Sequence, residues 1–130
     1  MANILLIEDY PSLQKIYTTV LESRGHRVYV ASDGNQGLLL ANQHKIDLIL
    51  LDLLMPNAGG FEFLEAYDLK KHPSVKLIIL TNVYKTELLN RALELGASNY
   101  IIKADITPDK MATMVDQTLA APAITPMTKK

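Results

Sequence analysis

The chain has 130 residues, 48% hydrophobic and 21% charged, so it is long and apolar enough for one domain with a real core and is no disordered polar tail. Thirteen Lys and Arg against 14 Asp and Glu leave a formal charge of −1, which argues against nucleic acid or a membrane surface as the main partner. The absence of cysteine excludes a disulfide scaffold, a zinc–thiolate site and a thiol nucleophile, and no apolar run approaches the ~20 residues of a membrane span.

Short apolar runs alternate with amphipathic stretches. The first run, Ile4–Ile7, ends at the acids Glu8 and Asp9, so the N-terminus is not a basic-then-apolar signal peptide, and the expected location is the cytoplasm. Leu13, Ile16, Tyr17, Val20 and Leu21 then mark one face of a helix, with Pro11 suited to its first turn and Gly25 to its end. The run Val28–Ala31 is followed by a helix-compatible stretch over 34–44, and Leu48–Leu51 by another over 58–70. After Val75–Leu80 comes a face of Leu88, Leu89, Ala92 and Leu93 closed by Gly96. The last run, Tyr100–Ile102, precedes a helix carrying Met111, Met114, Val115, Thr118 and Leu119, with Thr107 as N-cap and Pro108 at the first helical position. Runs this short and continuously apolar suit strands covered on both faces. The alternation predicts an α/β fold: a doubly wound, flavodoxin-like, five-stranded parallel sheet of order 2-1-3-4-5 with five helices. The domain is expected to span 1–120, with 121–130 a flexible tail or truncated linker.

In an open α/β sheet, ligands bind beyond the carboxyl ends of the strands. The polar residues there are Glu8 and Asp9 after the first strand, Asp52 after the third, Thr81 at the end of the fourth and Lys103 after the fifth. Any one of them reads as a polar residue where a strand leaves the core. Together they put three acids, a hydroxyl and an ammonium on one rim. Three carboxylates repel one another in a cleft of low dielectric unless a cation is shared, and an all-oxygen acidic site favours Mg²⁺. Asp52 then becomes a carboxylate nucleophile for a phosphoryl group, with Lys103 and Thr81 placed for the phosphoryl oxygens. Asp9 reaches the metal directly and Glu8 through water.

Asp52-Leu53-Leu54-Met55-Pro56 with Gly60, the acidic pair, Thr81 and Gly96–Lys103 together resemble the receiver domain of two-component response regulators, in its single-domain, chemotaxis-regulator-like form. The likeness runs over roughly residues 3–119. It implies phosphorylation of Asp52 by a histidine kinase or histidine phosphotransfer protein, Mg²⁺ held by Glu8, Asp9, Asp52 and the backbone carbonyl of Leu54, and a switch in which Tyr100 turns inward as Thr81 moves. It implies a phosphoacceptor rather than an enzyme acting on a separate substrate. The output is read by a protein partner on the last two helices and last strand, or by a phosphorylation-dependent homodimer. Leu88, Leu89, Tyr84 and Tyr100 are contact candidates.

The sequence also departs from the family's pattern. Ala104 replaces the usual proline after the lysine, whose bond is cis in the family; before alanine a cis bond costs about 2.5–4 kcal/mol, so a trans bond is expected. Asn82 stands where a small residue is common and is expected to crowd the phosphoryl group. With Leu54 and Val83 both apolar, slow loss of phosphate is expected. Asn82 and Ala104 also motivate a rival reading, a degenerate receiver kept as a phosphorylation-independent interaction module. A flavodoxin-type phosphate loop fails because Glu8 and Asp9 stand there and repel a phosphate. Dinucleotide and Walker-type sites fail because no glycine precedes Gly25, and a haloacid-dehalogenase-type phosphatase would carry a second Asp where Leu54 stands. His26, His44 and His72 are read as solvated.

Overall fold

The computed structural model describes residues 1–55, 59–82 and 85–121. Pro56, Val83, Tyr84 and the tail 122–130 lie outside them, as do the expectations placed on those residues. The five apolar runs form parallel strands β1 (Asn3–Ile7), β2 (Arg27–Ala31), β3 (Leu48–Leu51), β4 (Lys76–Thr81) and β5 (Asn99–Ile102), ordered β2-β1-β3-β4-β5 as expected. Between and after them lie α1 (Pro11–Ser23), α2 (Gly34–Gln43), α3 (Gly60–Tyr67), α4 (Thr86–Glu94) and α5 (Pro108–Ala120).

Side chains alternate between the faces of a strand, and the core divides accordingly. Leu5, Ile7, Ile49, Leu51, Leu77 and Ile79 pack with Phe63, Leu64, Leu89 and Ala92 from α3 and α4. Ile4, Leu6, Leu48, Leu50, Ile78, Leu80 and Ile101 pack with Tyr17, Leu21, Met111 and Val115 from α1 and α5. Burial on both faces is why these strands are unbroken apolar runs rather than alternating ones.

Helix ends follow local chemistry. Gly25 (φ 90°) and Gly96 (φ 112°) take the left-handed conformation just past α1 and α4. Asp33 accepts the N–H of Gln36 at 2.8 Å to start α2, and Thr107 accepts that of Lys110 at 3.2 Å to start α5. The expected helix over 58–70 is shorter. It runs Gly60–Tyr67, stops at Asp68 (φ 55°) and resumes as a 3₁₀ turn over Leu69–Lys71. An aspartate tolerates this left-handed conformation because its short polar side chain suits it, and the periodicity of apolar residues carries no record of the break.

The histidines are not simply solvated. The His26 ring is buried: Nδ1 accepts the N–H of Ala2 at 3.2 Å and Nε2 meets Asp116 at 2.6 Å. His44 stacks on Tyr29 and His72 on Tyr67. No helix among the described residues is long and apolar enough to cross a membrane.

Candidate functional site

Glu8, Asp52 and Lys103 are each the first residue after β1, β3 and β5. Each therefore continues its strand on the same side of the sheet, the side facing α1 and α5, because each follows a residue turned to the other side (Ile7, Leu51 and Ile102). The ladder continues far enough to hold them. The N–H of Glu8 donates to the carbonyl of Ala31 at 2.9 Å, and that of Asp52 to the carbonyl of Ile7 at 3.1 Å.

Their side chains meet. The Lys103 ammonium lies 2.5 Å from Glu8 Oε1 and 2.9 Å from Asp52 Oδ2. Glu8 is 1% and Asp52 6% exposed. The remaining oxygens are also engaged, since Glu8 Oε2 accepts the N–H of Tyr10 at 3.0 Å and Asp52 Oδ1 that of Leu54 at 3.2 Å. Asp9 completes the group: one carboxylate oxygen from each of Glu8, Asp9 and Asp52 falls within 4.8 Å of the others.

Burial leaves marks on both signs of charge. Loss of solvent pushes the Glu8 carboxyl above the ordinary glutamate range, against the hydrogen bonds from Lys103 and the Tyr10 amide that pull it down. For Lys103, burial is the largest single influence and opposes the charge. The hydrogen bonds to Glu8 and Asp52 overcome it, so the ammonium is held above the ordinary lysine range.

Three carboxylates gather around a single bridging ammonium, so the cluster carries two surplus negative charges. An all-oxygen set of that charge fits a divalent hard cation such as Mg²⁺. Asp9 is less buried than its two neighbours and can meet a partly hydrated ion from the solvent side.

Two backbone features shape the rim. Gly60, at the start of α3, lies so close to the chain beneath it that a Cβ would sit 2.6 Å from both the Asp52 carbonyl oxygen and Leu53 Cα. Its N–H donates to the carbonyl of Leu53 at 3.2 Å. Only glycine lets α3 begin directly against the strand end that bears Asp52. On the other flank, the Gln14 side-chain amide donates to the backbone carbonyl of Glu8 and, at 3.1 Å, to Ser32 Oγ, joining α1 to the strand ends. Gln14 escaped the sequence reading because it follows Leu13 on α1 with nothing in its spacing to separate it from any other polar helix residue.

Thr81 and Tyr100 come from the neighbouring strands β4 and β5. Thr81 is buried at the end of β4, which pairs with β5 through Thr81↔Ile102 and Ile79↔Tyr100. Thr81 and Tyr100 are thus on one face of the sheet, on adjacent strands. Tyr100 is 40% exposed and lines a surface recess of about 190 Å³ with Thr86, Leu89, Asn90, Ile102 and Asp105. The Leu54 side chain is 64% exposed while its amide serves Asp52.

The Lys103–Ala104 bond is trans, as expected, since the described residues hold no cis peptide. Asn82 is exposed, and its side-chain oxygen accepts the N–H of Ala104 at 2.9 Å.

Comparison with known proteins supplies the family and the fold's relatives. Residues 4–116 match the model of the response regulator receiver domain. The chain is 37% identical over 103 residues to the KDP operon transcriptional regulatory protein KdpE of Escherichia coli (79% of this chain, 45% of that protein). It is 34% identical over 100 residues to the DNA-binding response regulator MtrA of Mycolicibacterium smegmatis (77% of this chain, 43% of that protein). The chain thus spans less than half the length of these two relatives. Among solved structures it is similar to the non-phosphorylated HemR receiver domain of Leptospira biflexa, with TM-score 0.85, 26% identity, and coverage of 96% of this chain and 99% of that one. A CheY-like receiver domain protein from Methanospirillum hungatei gives TM-score 0.84 and 27% identity, over 92% of this chain and 94% of that one.

Proposed function

The chain belongs to the response regulator receiver domain family, and from that premise we propose that it is a switch thrown by phosphorylation of Asp52. A histidine kinase or histidine phosphotransfer protein is the donor. One Asp52 oxygen attacks phosphorus, the phosphorus–nitrogen bond of the donor breaks, and the imidazole leaves with the electron pair. The observation that carries this reading is the Lys103 ammonium bridging Glu8 and Asp52 beside Asp9, a buried nucleophilic carboxylate already paired with a cation that can turn to the incoming phosphoryl oxygens.

Glu8, Asp9, Asp52 and the Leu54 carbonyl would hold Mg²⁺, which when bound neutralises charge on the phosphoryl oxygens. Lys103 offsets a further charge, and the Thr81 hydroxyl is the group drawn toward the phosphoryl. Tyr100, on the same face as Thr81, then turns from its exposed position into the space Thr81 leaves. Output follows at the α4–β5–α5 surface, through a protein partner or a homodimer. The chain acts on its own aspartate, as a phosphoacceptor that assists its own phosphorylation and dephosphorylation. Against the reading as a phosphorylation-independent module, the phosphoacceptor reading is favoured by Lys103 reaching both carboxylates while Asn82 bonds to Ala104.

Incubation with acetyl phosphate and MgCl₂, read by intact mass, tests this. One phosphate is gained by the wild type and none by Asp52→Asn. No gain in the wild type, or a gain that survives the substitution, refutes it.

A further inference from the structure

Lys103 opens a 3₁₀ turn, Lys103–Asp105, that packs its ammonium onto two acids. The first N–H groups of any helical turn lack acceptors within the turn. Ile102, at the head of this one, supplies none from its side chain. The Ala104 N–H is served instead from the residue just past β4, by Asn82 Oδ1 at 2.9 Å and 22 positions away in sequence. Register explains the meeting. Thr81 pairs with Ile102 at the ends of β4 and β5, so the residues just beyond them are neighbours. The bond lies one residue past Thr81 and one past Lys103.

The bond holds the peptide plane between Lys103 and Ala104, and with it the direction in which the Lys103 side chain leaves the backbone. That direction matters because lysine is a flexible stem carrying a compact charge. Its ammonium must reach Glu8 and Asp52 together. We propose that Asn82 is a positioning residue that acts through this peptide to aim the Lys103 ammonium at Asp52. That role presupposes Asp52 as the phosphoacceptor and assigns Asn82 the support of its phosphorylation, rather than the crowding expected from its place beside Thr81.

The full chain serves for the test. In Asn82→Ala, the Ala104 amide exchanges with solvent about fivefold faster, the factor expected for loss of one neutral hydrogen bond, and the ¹⁵N signal of the Lys103 ammonium shifts. With acetyl phosphate and MgCl₂, phosphorylation of Asn82→Ala slows by about the same factor. Asn82→Leu, close in size and without an acceptor, behaves alike. In a Lys103→Ala background, the Asn82 substitution leaves the rate unchanged, because its effect passes through that ammonium. An unmoved Lys103 signal, or slowing that persists once Lys103 is gone, overturns the assignment. A wild-type protein that takes no phosphate would instead sink the phosphoacceptor reading, and the Lys103 signal would then decide the positioning role alone.

Discussion

Two ionic networks close the two ends of the sheet, and they differ in what surrounds them. At the carboxyl ends of the strands, Lys103 bridges two buried acids beside a third. At the other end, Asp116 of α5 is shared by Arg24 at 2.8 Å and His26 at 2.6 Å, and Lys76 donates to the carbonyls of Thr118 and Ala121 at the close of α5. There one carboxylate meets cations rather than other acids, and the Arg24–Asp116 pair is partly exposed. Such a network holds elements together without storing strain, and each pair contributes little. At the carboxyl-end rim, negative charge is in excess and withdrawn from water, which weakens the fold and favours a cation there. A carboxylate–cation pair ties elements together in one place and, on the proposed reading, takes part in phosphoryl transfer in the other.

That contrast breaks first at Asp52. Asp52→Asn should abolish phosphorylation, with a rate at least about 100-fold below wild type, because the amide that replaces the carboxylate is no nucleophile toward phosphorus. The same change removes one of three crowded acids, so the urea midpoint should stay level or rise. A falling midpoint would mean that the rim stabilises the fold as the opposite end does. Gly60→Ala comes next. Its Cβ would strike backbone rather than a movable side chain, so the strand end or α3 must shift, at a cost of about 2–3 kcal/mol by urea unfolding. Phosphorylation should slow in the same variant, since the displaced backbone is that of Asp52 and Leu53.

Much of this architecture was legible because β1, β3 and β4 are buried on both faces and therefore read as apolar runs, each ended by the polar residue that enters the rim. Parallel pairing then forces those ends together, which is how residues as distant as Glu8 and Lys103 could be assigned to one site. Other features left no such trace. Asp68 ends α3 through its own backbone conformation, invisible to an amphipathic pattern. His26 read as solvated because its partners, Ala2 and Asp116, are joined to it only by the fold. Asn82 and Ala104 were each legible as departures from the family's pattern, but not as partners. Their relation depends on the register of β4 against β5, a tertiary fact that neither residue's neighbours encode.

Removing an acid without touching the nucleophile sharpens the comparison. Asp9→Asn should raise stability by about 1 kcal/mol in metal-free buffer, as one repulsive charge leaves the cluster. The gain over wild type should shrink as MgCl₂ is added, because the ion stabilises the wild-type fold by binding it. Equal response of both proteins to magnesium, measured by thermal unfolding, would remove Asp9 from the metal site.

The smallest effect belongs to the opposite end, and its sign depends on pH. Burial is the largest influence on the Asp116 carboxyl and pushes it up. His26 and Arg24 together outweigh burial and hold it below the ordinary aspartate range. A carboxyl depressed by folding adds stability that is present above its unfolded pKa and lost as pH falls through its folded one. Asp116→Asn should therefore cost about 0.2–1 kcal/mol near neutrality, the range of an exposed pair, and the difference from wild type should close as the solution is acidified below the ordinary aspartate range. Urea midpoints of both proteins across that range measure it. A gap that stays constant into acid would show that Asp116 contributes through hydrogen-bond geometry, which asparagine fails to reproduce, and not through its charge.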